Sequence, residues 1–196
     1  MTSIEFWFDF GSNYSYLSMM RLPALARERG VEVRLKPFML GPIFKSLGWE
    51  TSPFVLQEMK GNYVWRDMAR QCARYGLRWQ RPSAFPRNAL LAARVALAGE
   101  AAPWMPEFCE RVMLANFAQD REIGDEATIA HILDGLGADS GAMLRAAQTD
   151  AIKSALRERT AAAQARGIFG APMFFVGDEM FWGNDRLEDA LALAAS

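Results

Sequence analysis

Ser12 stands where two contrasting stretches meet. Ile4-Glu5-Phe6-Trp7-Phe8-Asp9-Phe10 is an apolar run, and Gly11-Ser12-Asn13-Tyr14-Ser15-Tyr16-Leu17 is a turn that opens a helix. The first N–H groups of a helix lack internal partners and favour an anion, so a hydroxyl at that junction can point at one. The competing reading is that Ser12 only caps the helix. Far along the chain, Gly170-Ala171-Pro172-Met173-Phe174-Phe175-Val176 starts a second apolar strand on a proline. A strand–turn–helix site facing a distant strand-initiating proline suggests a thioredoxin-type active site, with serine where that fold normally carries cysteine.

The two cysteines, Cys72 and Cys109, lie far apart in helix-like surroundings. With no Cys-x-x-Cys, the sequence supports neither dithiol redox chemistry nor a zinc knuckle, and no metal is expected. Buried free thiols are the expectation for both. His131 lies in an ordinary amphipathic helix and receives no role. Lys and Arg number 22 against 23 Asp and Glu. That balance argues against a polyanion-binding surface and hence against nucleic acid. No segment reaches the roughly 18 apolar residues of a membrane span. The chain enters a strand by residue 4 without a basic region or an apolar signal core, which implies a cytoplasmic protein in a reducing compartment where glutathione is abundant.

The elements that must position Ser12 follow from hydrophobic period. Ile4, Phe6, Phe8 and Phe10 share one face and Trp7 adds apolar surface to the other, as in a central strand buried on both sides. A helix is predicted from about residue 14 to Gly30, then a half-exposed strand over 31–37, giving a βαβ unit with parallel strands. Residues 38–54 are rich in Gly and Pro and read as loop. Trp65, Met68, Ala69 and Cys72 form a helical stripe, and further helices are predicted over 89–98, around Phe108-Val112-Ala115, around Ile129-Leu133 and over 150–166. Residues 172–176 and 179–182 flank Gly177-Asp178 as a hairpin. Asn184 or Asp185 then caps a last helix buried through Leu187, Ala190, Leu191 and Ala194. The order is βαβ, a helical block, then ββα. This is an α/β thioredoxin-like fold with a large helical insertion: residues 1–38 and 168–196 would form a discontinuous thioredoxin-like domain, and 39–167 the insertion. At 196 residues and 51% hydrophobic, the chain can bury a sizeable core.

Phe8-Asp9-Phe10-Gly11-Ser12-Asn13-Tyr14-Ser15-Tyr16-Leu17 resembles the Asp-Phe-x-Ser-Pro-Tyr-Ser-Tyr-Leu start of 2-hydroxychromene-2-carboxylate isomerases, DsbA-like relatives of the kappa-class glutathione transferases. The tail, Phe169-Gly170-Ala171-Pro172-Met173-Phe174 and Gly177 to Leu187, is similar to the family's closing motif. Asn13 stands where the family has proline. The resemblance implies that Ser12 is catalytic and contacts the sulfur of glutathione. It implies a cis Pro172, which would let the backbone of Ala171 pair with that tripeptide as an added strand; an ordinary trans proline at a strand start is the alternative. It puts Trp182, Gly183, Asn184 and Asp185 at the γ-glutamyl end, with Asp185 on the ammonium, a role that can coexist with capping.

Lys45 falls near a family lysine that meets the substrate carboxylate, although a solvated lysine explains it nearly as well. Arg81-Pro82-Ser83-Ala84-Phe85-Pro86-Arg87-Asn88 is similar to a family loop lining the substrate pocket, where Arg87 and Asn88 would hold the carboxylate or phenol oxygen of an aromatic acid. Each of these also fits a structural role. Asp9 is either a polar residue beneath the site or a turn cap. Trp49, Tyr63 and Trp65 are candidates for an aromatic pocket or for core packing.

The function so implied is a glutathione-dependent cis–trans isomerase that interconverts 2-hydroxychromene-2-carboxylate and trans-o-hydroxybenzylidenepyruvate in naphthalene-type catabolism, with a homodimer as the expected assembly. The alternatives are a kappa-type glutathione transferase or peroxidase and a non-catalytic thiol-binding thioredoxin-fold module. Serine cannot form a mixed disulfide, which already separates this chain from the disulfide oxidoreductases.

Overall fold

In a computed structural model, residues 3–196 are described. Strand β1 (Ser3–Phe8) leads through a tight turn into helix α1 (Asn13–Glu28) and returns as β2 (Glu32–Pro37). Helices α2 (Leu40–Ser46), α3 (Pro53–Leu56), α4 (Glu58–Tyr75), α5 (Leu90–Ala98), α6 (Met105–Ala118), α7 (Glu126–Asp134), α8 (Ser140–Ala147) and α9 (Asp150–Ala165) follow. The chain then closes with β3 (Met173–Val176), β4 (Glu179–Trp182), one 3₁₀ turn (Asn184–Arg186) and α10 (Leu187–Ala194).

The four strands order as β2-β1-β3-β4. β1 runs parallel to β2, with Ile4 opposite Val33, and antiparallel to β3, with Phe6 opposite Phe174. The two apolar faces of β1 build two cores. Ile4, Phe6 and Phe8 join the main core with α1, α5, α6 and α10, while Trp7 packs with Phe38, Ile43, Ile168, Met173 and Phe175 on the other side. β1 ends at Phe8, two residues short of its apolar run. Phe10 lies beyond the strand, yet its ring stands edge-on to Phe8 at 5.2 Å and remains buried. The β3–β4 hairpin turns at Gly177, whose φ of 58° favours glycine.

Several elements differ from their sequence expectations. Residues 40–46 are helical rather than loop. Gly41 and Pro42 sit in the first turn of α2, where proline's missing N–H is not required. The stripe on α4 is Gly61, Val64, Met68 and Cys72, which leaves Ala69 exposed and Trp65 half-buried at the edge of that face. Helix α8 was not foreseen; Asp139 caps it through the N–H of Ala142 at 2.8 Å. Neither Asn184 nor Asp185 caps α10, because both lie in the 3₁₀ turn before it. The apolar face of α10 is buried as expected through Leu187, Ala190, Leu191 and Ala194. Cys72 and Cys109 are buried free thiols, and burial pushes Cys72 up to about 11.

Candidate active site

The turn between β1 and α1 is held by the carboxylate of Asp9. Its Oδ1 accepts the N–H of Gly11 and its Oδ2 accepts the N–H of Leu40, each at 2.7 Å. One buried side chain therefore closes the turn and caps α2. Burial holds the Asp9 carboxyl above the ordinary aspartate range, against the opposing pull of its two backbone donors. Gly11 has little room for a side chain: an added Cβ would lie 3.2 Å from the Arg87 carbonyl oxygen and 3.3 Å from Asp9 Oδ1.

Ser12 caps α1 with extended backbone, φ −88° and ψ 117°, and its Oγ accepts the N–H of Ser15 at 3.3 Å. The same hydroxyl donates to the carbonyl of Ala171 at 3.1 Å, across 159 residues of sequence. The Ala171–Pro172 peptide is cis. Capping and facing the distant proline are thus one geometry. The N–H groups of Asn13 and Tyr14, the next two of the helix, meet no protein acceptor among the described residues. Asn13 Nδ2 and Ser15 Oγ are buried beside them without a partner. An unpartnered buried polar atom costs about 1–3 kcal/mol, so this concentration at one helix end suits a ligand more than a fold. The donor set fits a thiolate, and the backbone at Ala171 fits a peptide carrying it.

The closing segment lies against the same helix. Gly183, at φ 105°, donates its N–H to the Pro172 carbonyl at 3.0 Å. Asn184 is buried, and its side-chain oxygen accepts from Ser18 Oγ at 3.2 Å and Arg21 at 3.0 Å, which ties the 3₁₀ turn to α1. Asp185 is exposed and close enough to Tyr14 to help hold that phenol above its ordinary range, after burial and the 2.8 Å bond that Tyr14 donates to Asp67. The structure therefore gathers Ser12, Ala171, Pro172, Gly183, Asn184 and Asp185. Trp182 is exposed, its ring edge-on to Phe169 at 4.8 Å and over Gly170.

A DSBA-like thioredoxin domain model matches residues 3–193. The chain is 30% identical to 2-hydroxychromene-2-carboxylate isomerase from Pseudomonas putida over 94% of its own length and 90% of that protein's. The chain belongs to the 2-hydroxychromene-2-carboxylate isomerase family. The Sphingobium xenophagum isomerase is 29% identical over 95% of this chain and 94% of its own. A solved 2-hydroxychromene-2-carboxylate isomerase superposes with a TM-score of 0.89 at 28% identity, covering 97% of this chain and 93% of that one. Glutathione S-transferase kappa 1 from Rattus norvegicus is 24% identical over 94% of this chain and 87% of its own.

In this isomerase-family chain, the candidates for a substrate contact separate. Lys45 is exposed on α2 and makes no ion pair among the described residues. Arg87 is buried, and its guanidinium is already engaged. It donates to Asn116 Oδ1 at 3.1 Å, to Ser83 Oγ at 3.1 Å and to the carboxylate of Asp120. Asn116 in turn donates its Nδ2 to the Phe10 carbonyl at 2.9 Å, two residues before Ser12. Asn88 is exposed and accepts the N–H of Leu90 at 3.0 Å, at the start of α5. Arg87 braces the loop, whereas Asn88, with only its side-chain oxygen engaged, is exposed like Lys45.

A cavity of about 270 Å³ opens between α3, α4 and residues 81–85, walled by Phe54, Trp65 and Phe85 and edged by Asn62, Arg81 and Ser83. Its walls and their chain neighbours reach the Ser12 turn at two points. The Phe54 ring lies edge-on to Tyr14 at 6.2 Å, and Pro86, after a second cis peptide at Phe85–Pro86, lies 3.7 Å from the Cβ position of Gly11. Trp65 is a wall of this cavity. Trp49 instead packs on Phe44 at 5.6 Å, and Tyr63 lies exposed under Arg70. Asp9 closes the turn as its alternative role as a cap implied, but Asn116 and the bond from Leu40 to Asp9 escape the sequence reading. Asn116 continues the buried Phe108-Val112 face of α6, and a polar residue on such a face is the signal that points to it.

Proposed function

We propose that the chain catalyses glutathione-dependent cis–trans isomerisation of an aromatic pyruvate, interconverting 2-hydroxychromene-2-carboxylate and trans-o-hydroxybenzylidenepyruvate. The observation that carries this reading is the Ser12 hydroxyl at the open end of α1, 3.1 Å from the carbonyl before cis-Pro172, where no thiol of the chain competes. The family's named isomerases agree with it.

When bound, glutathione supplies a thiolate that adds reversibly to the conjugated double bond and makes it a rotatable single bond. The chain's own residues do the rest. Ser12 turns its O–H from the Ala171 carbonyl toward the sulfur, and the amides of Asn13 and Tyr14 add the positive end of α1. Lowering a thiol pKa by about 2 units takes roughly 2.7 kcal/mol, and a charge-assisted hydrogen bond with a helix terminus supplies energy of that order. Ala171 pairs with the tripeptide backbone, while Asp185 meets its ammonium beside Trp182, Gly183 and Asn184. Lys45 orients the substrate carboxylate and stabilises the enolate that develops on addition. Arg87 and Asn88 hold the loop that shapes the substrate pocket. A cytoplasmic location and a homodimer accompany the reading, with residues 1–38 and 168–196 carrying the thiol site and 39–167 the substrate walls.

Product analysis with trans-o-hydroxybenzylidenepyruvate tests it. The expected result is equilibration to the chromene with glutathione required and not consumed. A stable thioether, or oxidised glutathione, would instead make the chain a kappa-type transferase or peroxidase.

A further inference from the structure

The loop at 81–88 carries two arginines in opposite states. Arg87 is buried, and both terminal nitrogens of its guanidinium are hydrogen-bonded. Its contacts to Asp120 and Ser83, with the bonds that Ser83 donates from N–H and Oγ to Asp120 Oδ1 at 2.8 and 3.0 Å, pin the loop to the end of α6. Arg81 is exposed on that pinned loop and makes no ion pair among the described residues. Its guanidinium carbon lies 5.1 Å from the Trp65 ring centre, and both residues line the cavity. A cation held over an aromatic face is oriented, and its planar fork remains available to a carboxylate.

We propose that Arg81 is the carboxylate anchor of this pocket, which takes an aromatic acid with its ring between Phe54, Trp65 and Phe85. The proposal rests on the isomerase reading and adds the residue that selects the acid. Ligand pockets commonly span about 300–1,000 Å³. A cavity of about 270 Å³ therefore suits one aromatic ring with a short acidic arm. Asn62 adds a polar side chain to the lining, and the carboxylate of Glu58, also on the lining, repels an anion.

Calorimetric titration with trans-2-hydroxycinnamate and its uncharged amide, without glutathione and without turnover, tests the anchor. Wild-type protein should bind the acid at least tenfold more tightly than the amide. Arg81→Ala should abolish that preference while leaving amide binding and glutathione affinity as in wild type, and Glu58→Gln should strengthen acid binding several-fold. An exposed side chain is changed in both variants, and thermal melting confirms folding. An Arg81→Ala variant that keeps the acid preference, or a wild-type protein that has none, overturns the proposal. Acid-selective binding that depends on Arg81 in a protein without isomerase activity would sink the isomerase reading and leave the anchor standing. Normal isomerisation with the preference unchanged in Arg81→Ala would do the reverse.

Discussion

Two turns meet at this site and are built in opposite ways. The Ser12 turn is buried and held by short polar side chains on backbone groups: Asp9 closes it, Asn116 braces its Phe10 carbonyl, and Ser12 bridges to Ala171. Its exceptions are the free amides of Asn13 and Tyr14 and the partnerless Asn13 Nδ2 and Ser15 Oγ. The 81–88 loop has a buried cation, Arg87, as its frame and presents an exposed one, Arg81, with aromatic rings. The reactive end is thus set by the sheet and its helix termini, where small displacements are costly. The proposed recognition end lies in the segment between β2 and β3, which carries Phe54, Trp65 and Arg81. Arg87 and Asn116 join the two.

Ser12→Ala should have the largest effect and fall on the reactive end alone. Removing one donor of this kind lowers turnover about 10²–10³-fold. Loss of the cap costs about 1 kcal/mol of stability, read from urea unfolding. KM for the aromatic acid should change little. Asn116→Leu attacks the link. It leaves the Phe10 carbonyl without its 2.9 Å donor, and steady-state kinetics should show kcat down roughly tenfold, with about 1–3 kcal/mol of stability lost from the orphaned carbonyl. Gly61→Ala tests the recognition end. An added Cβ would clash with the Phe54 carbonyl oxygen, so Phe54 must shift and its cavity wall with it. KM should rise several-fold while kcat and glutathione affinity hold. Equal losses in kcat from Gly61→Ala and Ser12→Ala would break the division.

The smallest effect is electrostatic and belongs to the loop's frame. The N–H of Ser83 and the Arg87 guanidinium hold the Asp120 carboxyl below its ordinary range. A depressed acid adds stability that is present above the unfolded pKa of about 4 and is lost as pH falls through the lower folded value. Asp120→Asn should therefore unfold at lower urea than wild type at neutral pH, and the two should converge in strong acid. A gap that persists there would show the stabilisation to be uncharged.

The parts of this arrangement that follow a period were legible. β1, its βαβ return and the final hairpin follow from alternation, and Ser12 faces Ala171 as the turn residues imply. Helix α2 was hidden by Gly41 and Pro42, which break helices except in the first turn, where they lie. For Trp65 the sequence leaves pocket wall and core packing both open, because helical spacing alone does not show which edge of a stripe meets a cavity. Arg87 was legible as a cation near the site, but its acceptors, Asn116 and Asp120, come from a helix end that only folding brings there. Nothing in the sequence separates Arg81 from Arg87; only their burial and partners do.

The central claim is that Ser12 and the open end of α1 stabilise a bound thiolate. Titrating the thiolate absorbance of the glutathione complex, in wild type and in Ser12→Ala, tests it most directly. A free thiol titrates near 8.5. The account predicts that the bound thiol ionises well below that value in wild type and moves back toward it in Ser12→Ala, with glutathione still bound. A bound thiol that titrates alike in both proteins would contradict it.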